Sequence, residues 1–458
     1  MSKKDTYHFE MSERKLLLRL LDVGLALLGL HFLGRIFDFD YFIIREDKWL
    51  WSLLLTGYIW FFGSIFEIYD LQKSSNFFKI FKGIVITISV TFIFYLLTPF
   101  LTPELPNSRI QLLYFYLTMI LSMSIGRLLY IGLIHSPIFI KNVIVIANGK
   151  EFTAIEKNLA AADSNYRIKY FINTDENQSK NHTKEISSAQ LIEKVKEGLY
   201  EIVVTQNAKF SSPTLYNKLL SLFNEGYVIK EYAQVYEELS NRVLVNFKDE
   251  ELFKQFPFSK YNNKPLYRVF RRFFDIIASV LGLILFAFLF PWIIVVNFFA
   301  NRGPLFYSQK RVGKNGKTFN IHKLRSMVVN AEKEGAVWAQ KNDIRITKFG
   351  KFLRKTRLDE FPQFYNILKG EMSVIGPRPE RPIFVQQLST EITFYPTRHI
   401  VKPGLTGWAQ VNTAYASTLE GSLEKLQYDL YYIKNRNIFL DFNIIIKTLS
   451  TVLFFRGQ

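Results

Sequence analysis

Apolar positions fall into three different patterns along this chain. Before residue 135 they gather into four long runs, near Leu16–Phe32, Leu50–Ile68, Ile80–Leu101 and Ile110–Leu133. Each is close to the ~20 residues a helix needs to cross a ~30 Å hydrocarbon core. Helices are the expected form, because lipid offers no partner to a bare backbone amide. From residue 142 the runs shorten. Asn142–Ala147, Arg167–Ile172 and Glu201–Thr205 read as strands, and Glu151–Ala161, Ala189–Glu197 and Leu215–Asn224 as helices. This alternation predicts a parallel α/β sheet. The polar stretch Thr174–Lys184 predicts a loop. A fifth long apolar run, Phe273–Ala300, follows, and beyond it modest helical stretches are separated by Gly, Pro and Arg clusters.

Charge decides how the apolar runs are threaded. Basic residues mark the N-terminus (Lys3, Lys4, Arg14, Lys15), the second connection (Lys73, Lys79, Lys82) and the region after the fourth run (Arg127, Lys141). The third connection, around 103–108, has almost none, and the first is mixed. Basic flanks face the cytoplasm, so the N-terminus and everything after residue 135 are expected there. Arg19 and Asp22, three apart in the first run, can pair on one helix face. The fifth run has Arg268, Arg271 and Arg272 before it and Arg302, Lys310 and Arg311 after it. With both ends cytoplasmic and Pro291 inside, the simplest reading is a re-entrant helix–break–helix; a plain fifth span competes with it. The last segment, Ile438–Phe455, carries Asp441 and Lys447 and is expected to lie on the membrane interface.

Composition narrows the chemistry. Of 458 residues, 49% are hydrophobic, and 44 Phe in runs point to lipid contact. The net charge of +18 suits an anionic membrane or phosphorylated substrates. The apolar runs and the lack of a recognisable motif make nucleic acid an unexpected partner. With no cysteine, thiol nucleophiles, disulfides and Cys metal sites are excluded. In the middle segment, the turn after the first strand reads Ala147-Asn148-Gly149-Lys150-Glu151-Phe152. One glycine stands where a dinucleotide fingerprint needs three, so a structural or oligomerising module is the better reading.

Three features converge after residue 300. Basic residues are dense, among them Lys323, Arg325, Arg354, Arg357, Arg378 and Arg381, and guanidinium groups grip phosphate bidentately. Some of these must simply be solvated surface. Asp359 and Glu360 are adjacent and followed by Pro362, which places the pair at or near a helix N-terminus. There an ionised Asp can attack phosphorus, although for the pair taken alone ordinary helix capping is the readier explanation. Gly376-Pro377-Arg378-Pro379 and Pro403-Gly404-Leu405-Thr406-Gly407 are rigid turns, the first presenting Arg378.

Together, these residues resemble the monotopic phosphoglycosyl transferases, the bacterial polyprenyl-phosphate hexose-1-phosphate transferases. The likeness runs from Tyr267 to the C-terminus. It is carried by Gly303–Gly313, Phe319–Met327, Asp343–Thr347, Leu353–Gln363, Asn366–Ser373, Gly376–Glu380 and Lys402–Asn412, with Asp429, Tyr431, Tyr432 and Asp441 also in place. Arg357 and Ser308 depart from the usual residues. The resemblance implies that Asp359 attacks the β-phosphate of a UDP-sugar and expels UMP. The resulting aspartyl phosphosugar is then taken up by polyprenyl phosphate. It also implies Mg2+ at Asp359, support from Glu360, phosphate contacts from Lys323, Arg325, Arg354 and Arg378, and a re-entrant helix at about 271–300.

The expected fold class is therefore a membrane α/β protein. A cytoplasmic tail (1–12) precedes four transmembrane helices (13–135) and a degenerate Rossmann-like cytoplasmic domain (142–262). A mainly helical phosphoglycosyl transferase domain (266–458) follows, on the cytoplasmic face of the bacterial inner membrane. The expected partners are a UDP-sugar, undecaprenyl or another polyprenyl phosphate and the bilayer, with a homodimer as a further expectation. The expected role is the first step of exopolysaccharide, capsule or O-antigen synthesis. Two other classes compete: a nucleotide-sugar-modifying enzyme acting through 142–262, whose Tyr232–Tyr236 neighbourhood lacks the required Lys, and a non-enzymatic assembly scaffold.

Overall fold

A computed structural model describes residues 11–37, 42, 48–71, 77–106, 108–134, 140–163, 165–174, 184–198, 200–205, 213–245, 265–329, 331, 343–413 and 418–453. The chain divides into two compact units, Met1–Ser240 and Asn241–Gln458.

The first unit opens with four helices: α1 (Met11–Ile36), α2 (Trp49–Ile65), α3 (Phe77–Leu96) and α4 (Ile110–Ile134). Among the described residues, three stretches are long and apolar enough to cross a membrane: Glu13–Ile36 and Ile110–Leu133 here, and Pro265–Ala300 in the second unit; α2 and α3 contribute shorter apolar stretches. Leu55, Ile59, Ile84, Ile88, Phe115 and Met119 form part of their shared core. Asp22 pairs with Arg127 on α4 at 2.6 Å, not with Arg19. Arg19 instead lies over the Tyr69 ring, 5.3 Å from its centre. Helix–helix packing overrides local spacing here: α1 runs along α4 and brings the two fully buried charges together.

The α/β module of this unit comprises β1 (Lys141–Ala147), α5 (Gly149–Ala162), β2 (Tyr166–Asn173), α6 (Leu191–Glu197), β3 (Tyr200–Val204), α7 (Pro213–Asn224), β4 (Ile229–Glu231) and α8 (Tyr232–Ser240). The strands are all parallel in the order β2-β1-β3-β4. The six elements read from the sequence lie within two residues of those expected at every end. β4 and α8 come in addition to those six. Residues 175–183 of the expected loop lie outside the described residues. At the start of α5, the Asn173 side chain accepts from the Gly149 amide and the Asn148 side chain from the Lys150 amide. Those are the amides a pyrophosphate would need, and here the protein satisfies them itself. Arg14 on α1 pairs with Asp163 just after α5 at 2.8 Å.

The second unit begins earlier than expected. Residues 241–245, assigned above to the Rossmann-like segment, belong to it. Val243 and Val245 pack with Leu388, Leu426 and Leu430, and Trp408 donates to the Asn241 carbonyl. Residues 246–264 lie outside the described residues. Next comes α9 (Pro265–Ala300), about 54 Å long at 1.5 Å per residue. The break expected at Pro291 is absent, and the helix continues through it. Packing on both sides holds it: Phe290 stacks on Phe306, and Ile293 packs with Leu324 and Leu353. Its buried residues Tyr267, Asp275, Ser279, Gly282, Ile293 and Asn297 recur at helical spacing. One stripe along the whole helix is therefore covered by this unit. The other faces expose Phe273, Leu281, Phe288, Trp292 and Phe299.

The remainder of the unit is a hairpin, β5 (Phe306–Val312) with β6 (Thr318–Leu324), followed by α10 (Lys348–Thr356) and α11 (Gln363–Lys369). Then come β7 (Ser373–Ile375), α12 (Pro382–Glu391), β8 (Gly404–Thr406), α13 (Trp408–Asn412), α14 (Leu419–Asn435) and α15 (Ile438–Leu453). The C-terminal helix is anchored to this unit: Ile444 is buried beside Trp408 and Tyr432. Asp441 accepts from Tyr267 and Tyr432.

Candidate active site

The carboxylate pair is held in one 3₁₀ turn, Leu358–Glu360, between α10 and α11. Pro362 follows as the N-cap of α11, so the expected position before a helix is met. Two packing devices fix this turn. Gly350 on α10 lies so close to Ser326 that a β-carbon would sit 1.9 Å from the Ser326 carbonyl. Only glycine lets α10 approach. On the other side, fully buried Asn366 on α11 donates to the Asn320 carbonyl and accepts from the His322 amide. That staples α11 to β6 and brings the turn to the strand bearing Lys323. Between α10 and the turn, Arg357 adopts a left-handed conformation (φ 61°), which reverses the chain in one residue.

The two Gly/Pro turns pack on each other. β7 and β8 run parallel, the Gly376 amide donates to the Thr406 carbonyl, and the Gly404 amide donates to the Pro377 carbonyl. The contact is backbone on backbone: a β-carbon on Gly404 would sit 2.1 Å from the Gly376 nitrogen. The Arg378 guanidinium leaves this platform and donates to Glu360 Oε1 at 2.8 Å.

Three cations surround Glu360. Lys323 lies at 3.3 Å, Arg378 at 2.8 Å and Arg357 at 3.8 Å. Burial alone would raise the Glu360 pKa, but Arg378, Lys323 and Arg357 outweigh it and hold the carboxyl well below the usual range. Asp359 moves the other way, raised first by burial and then by the neighbouring Glu360 charge. Both are at least 93% buried, and Asp359 Oδ1 has no hydrogen-bond partner among the described residues. Adjacent carboxylates are thus made unequal by their surroundings.

The sequence-named residues fall into two groups. Glu360, Lys323 and Arg378 meet directly, with Asp359 next to Glu360 in the same turn. Arg354 is held through its Nε by Ser326 Oγ at 2.9 Å, and its charge acts on Asp359. Arg325 does not join them. Its guanidinium donates to the Pro304 and Met327 carbonyls and to Asn301, locking the end of α9 to β6. Those acceptors engage Nε and both terminal nitrogens of Arg325 away from Glu360. Arg357, counted among the dense basic residues but given no contact of its own, joins the site; being two residues from Asp359 was the signal available. Beside the pair, Leu283, Phe286, Phe306, His322, Pro362 and Tyr365 line an open, mainly apolar groove of about 250 Å³.

Residues 266–455 match the family model described as bacterial sugar transferase. A UDP-N-acetylgalactosamine-undecaprenyl-phosphate N-acetylgalactosaminephosphotransferase of Aeromonas hydrophila is 44% identical over 221 residues, 48% of this chain and 51% of that protein. A UDP-glucose:undecaprenyl-phosphate glucose-1-phosphate transferase of Klebsiella pneumoniae is 45% identical over 183 residues, 40% of this chain and 39% of that protein. The chain thus spans about half or less of these two relatives. It spans 90% of the uncharacterized sugar transferase EpsL of Bacillus subtilis at 34% identity over 189 residues, 41% of this chain.

Proposed function

The chain belongs to the bacterial sugar transferase family, and from that premise we propose that it transfers a sugar 1-phosphate from a UDP-sugar to undecaprenyl phosphate. The two enzymes with that kind of name, from Aeromonas and Klebsiella, motivate the substrates. The observation that carries the reading is the unequal pair: a buried Asp359 with an unengaged oxygen, beside a Glu360 ringed by cations. One carboxylate is left available for attack while the surplus of positive charge awaits a diphosphate.

In this mechanism the Asp359 carboxylate attacks the β-phosphorus. The bond from that phosphorus to the bridging oxygen breaks, and UMP leaves with the electron pair. A phosphate oxygen of undecaprenyl phosphate then attacks the same phosphorus and releases the Asp359 carboxylate. Lys323, Arg354 and Arg378 would steady the phosphate oxygens. Glu360, held ionised, is a poor proton carrier; its work is to aim Lys323 and Arg378. The apolar groove beside Pro362 would receive the first isoprenyl units of the acceptor.

Mg2+ fits this site through the unpartnered Asp359 oxygen. Among the described residues no cluster of three ligating side chains exists, which suits an ion that takes one carboxylate and completes its shell with substrate phosphates and water. When bound, it would offset repulsion between the nucleophile and the diphosphate.

The topology belongs to the same proposal. α1–α4 cross the bilayer, and α9 stays in one leaflet with both ends on the cytoplasmic side of the bacterial inner membrane. The stripe of α9 covered by its own unit from Tyr267 to Asn297 supports this. A helix crossing ~30 Å of hydrocarbon would carry the polar groups bonded along that stripe, Asp441 at Tyr267 and Ser373 at Asp275, into lipid. The product would be the first lipid-linked intermediate of an exopolysaccharide, capsule or O-antigen.

The test is UMP release across a panel of UDP-sugars with undecaprenyl phosphate present, together with mass spectrometry of the peptide containing Asp359. Release with one sugar and a phosphosugar adduct on Asp359 are expected. Absence of release with every UDP-sugar would overturn the reaction.

A further inference from the structure

We propose that Arg398 is a positioning residue of the transfer: it fixes the peptide of Arg378 and thereby sets where the Arg378 guanidinium meets Glu360. The inference rests on the reaction proposed above.

Arg398 lies in the 3₁₀ segment Tyr395–Ile400 and is 5% exposed. Three acceptors share its guanidinium. One terminal nitrogen donates to the Tyr395 hydroxyl at 2.6 Å. The other donates to Asp429 Oδ2 at 2.7 Å and to the Arg378 carbonyl at 3.1 Å. Tyr395 and Asp429 are themselves 3% and 1% exposed. Both are clamped by the core that packs Leu388 and Phe394 against Leu426 and Leu430. Tyr395 and Asp429 fix the orientation of the guanidinium, and the nitrogen that meets Asp429 is thereby aimed at the Arg378 carbonyl as well.

That residue is the one whose side chain reaches Glu360 at 2.8 Å. A continuous line runs from Asp429 through Arg398 to the Arg378 carbonyl, and from the Arg378 side chain to Glu360. The rest of the turn is held elsewhere: Gly376 by Thr406, Pro377 by Gly404, and Pro379 by Arg311. Arg398 supplies the constraint on the Arg378 peptide itself. An arginine is needed because its planar fork reaches separate acceptors in fixed directions; a lysine presents one nitrogen. A buried ion pair is also weak evidence for stability, since apolar residues can replace one at little cost. What Arg398 and Asp429 add is direction.

The experiment is a double-mutant cycle in the full-length protein, with kcat/KM for the UDP-sugar as readout and thermal unfolding as a control. Arg398→Lys keeps a cation opposite Asp429 and should lower kcat/KM about a hundredfold, the scale of a ~1 Å misplacement. In an Arg378→Ala background the same substitution should cost less than about twofold, because the group it positions is gone. A residue that merely supports the fold gives losses that multiply in both backgrounds, and that result overturns the inference. If Arg398→Lys does not fold, Tyr395→Phe removes one anchor while keeping the ring, and the same dependence on Arg378 is required of it. Inactive wild-type protein with every UDP-sugar refutes the reaction; active wild type with multiplying losses refutes the role of Arg398 alone.

Discussion

Substituting Gly407 by alanine tests whether the stacked turns set the active site. Gly407 has φ −168°, extended backbone that any residue adopts, so the substitution carries no conformational strain. Its effect is steric. A β-carbon there would sit 2.1 Å from the Gly376 carbonyl oxygen. Carbon–oxygen contacts settle at about 3.3 Å, so the turns must part by about 1 Å. Gly376 leads directly into Pro377 and Arg378, and Arg378 reaches Glu360 at only 2.8 Å. A shift of that size takes the pair out of hydrogen-bond range. A ~1 Å misplacement of a catalytic group costs about a hundredfold, or about 2.7 kcal/mol of transition-state stabilisation. We expect Gly407→Ala to lower kcat/KM for UMP release by that factor while the protein still inserts and folds. Gly132→Ala is the control, because no atom lies within 4 Å of a β-carbon placed there. If Gly407→Ala keeps activity within threefold of wild type, the turns do not position Arg378.

Four further outcomes are expected. Asp359→Asn abolishes UMP release and leaves the protein folded and membrane-bound; full activity in that variant would remove Asp359 as nucleophile. Chelation of divalent ions stops transfer and added Mg2+ restores it, so turnover that persists in chelator contradicts the metal assignment. Asp22→Leu leaves buried Arg127 unpaired and destabilises the protein by about 3–5 kcal/mol, much of it regained in Asp22→Leu/Arg127→Leu; thermal unfolding in detergent reads this, and an undiminished single variant speaks against the pairing. The chain has no cysteine, so Glu225→Cys and Lys317→Cys give single labels before and after α9. Both should be protected from an impermeant maleimide in intact cells, and labelling of Lys317→Cys alone would mean that α9 crosses.

What the chain determines by itself is what short-range patterning can encode. The runs before residue 135 became α1–α4, and the alternation from 142 to 224 became a parallel sheet with its helices. In each case the apolar repeat is a property of a dozen or so neighbouring residues. Asp359-Glu360-Phe361-Pro362 likewise fixed a carboxylate pair just before a helix. Long-range pairing was not encoded this way. Asp22 chose Arg127, 105 residues away, over Arg19 on its own helix. The two Gly/Pro turns, each visible as a turn, gained meaning only when backbone stacked on backbone. Arg325 and Arg378 looked alike in sequence, yet one is used up by main-chain carbonyls around Asn301 and the other is aimed at Glu360. The continuation of α9 through Pro291 depended on Phe306, Leu324 and Leu353 packing beside it. The inequality of Asp359 and Glu360 is the clearest case. Like carboxyls in adjacent positions were split by burial and by which oxygens Lys323, Arg378 and Arg357 could reach, and only the folded chain decides that.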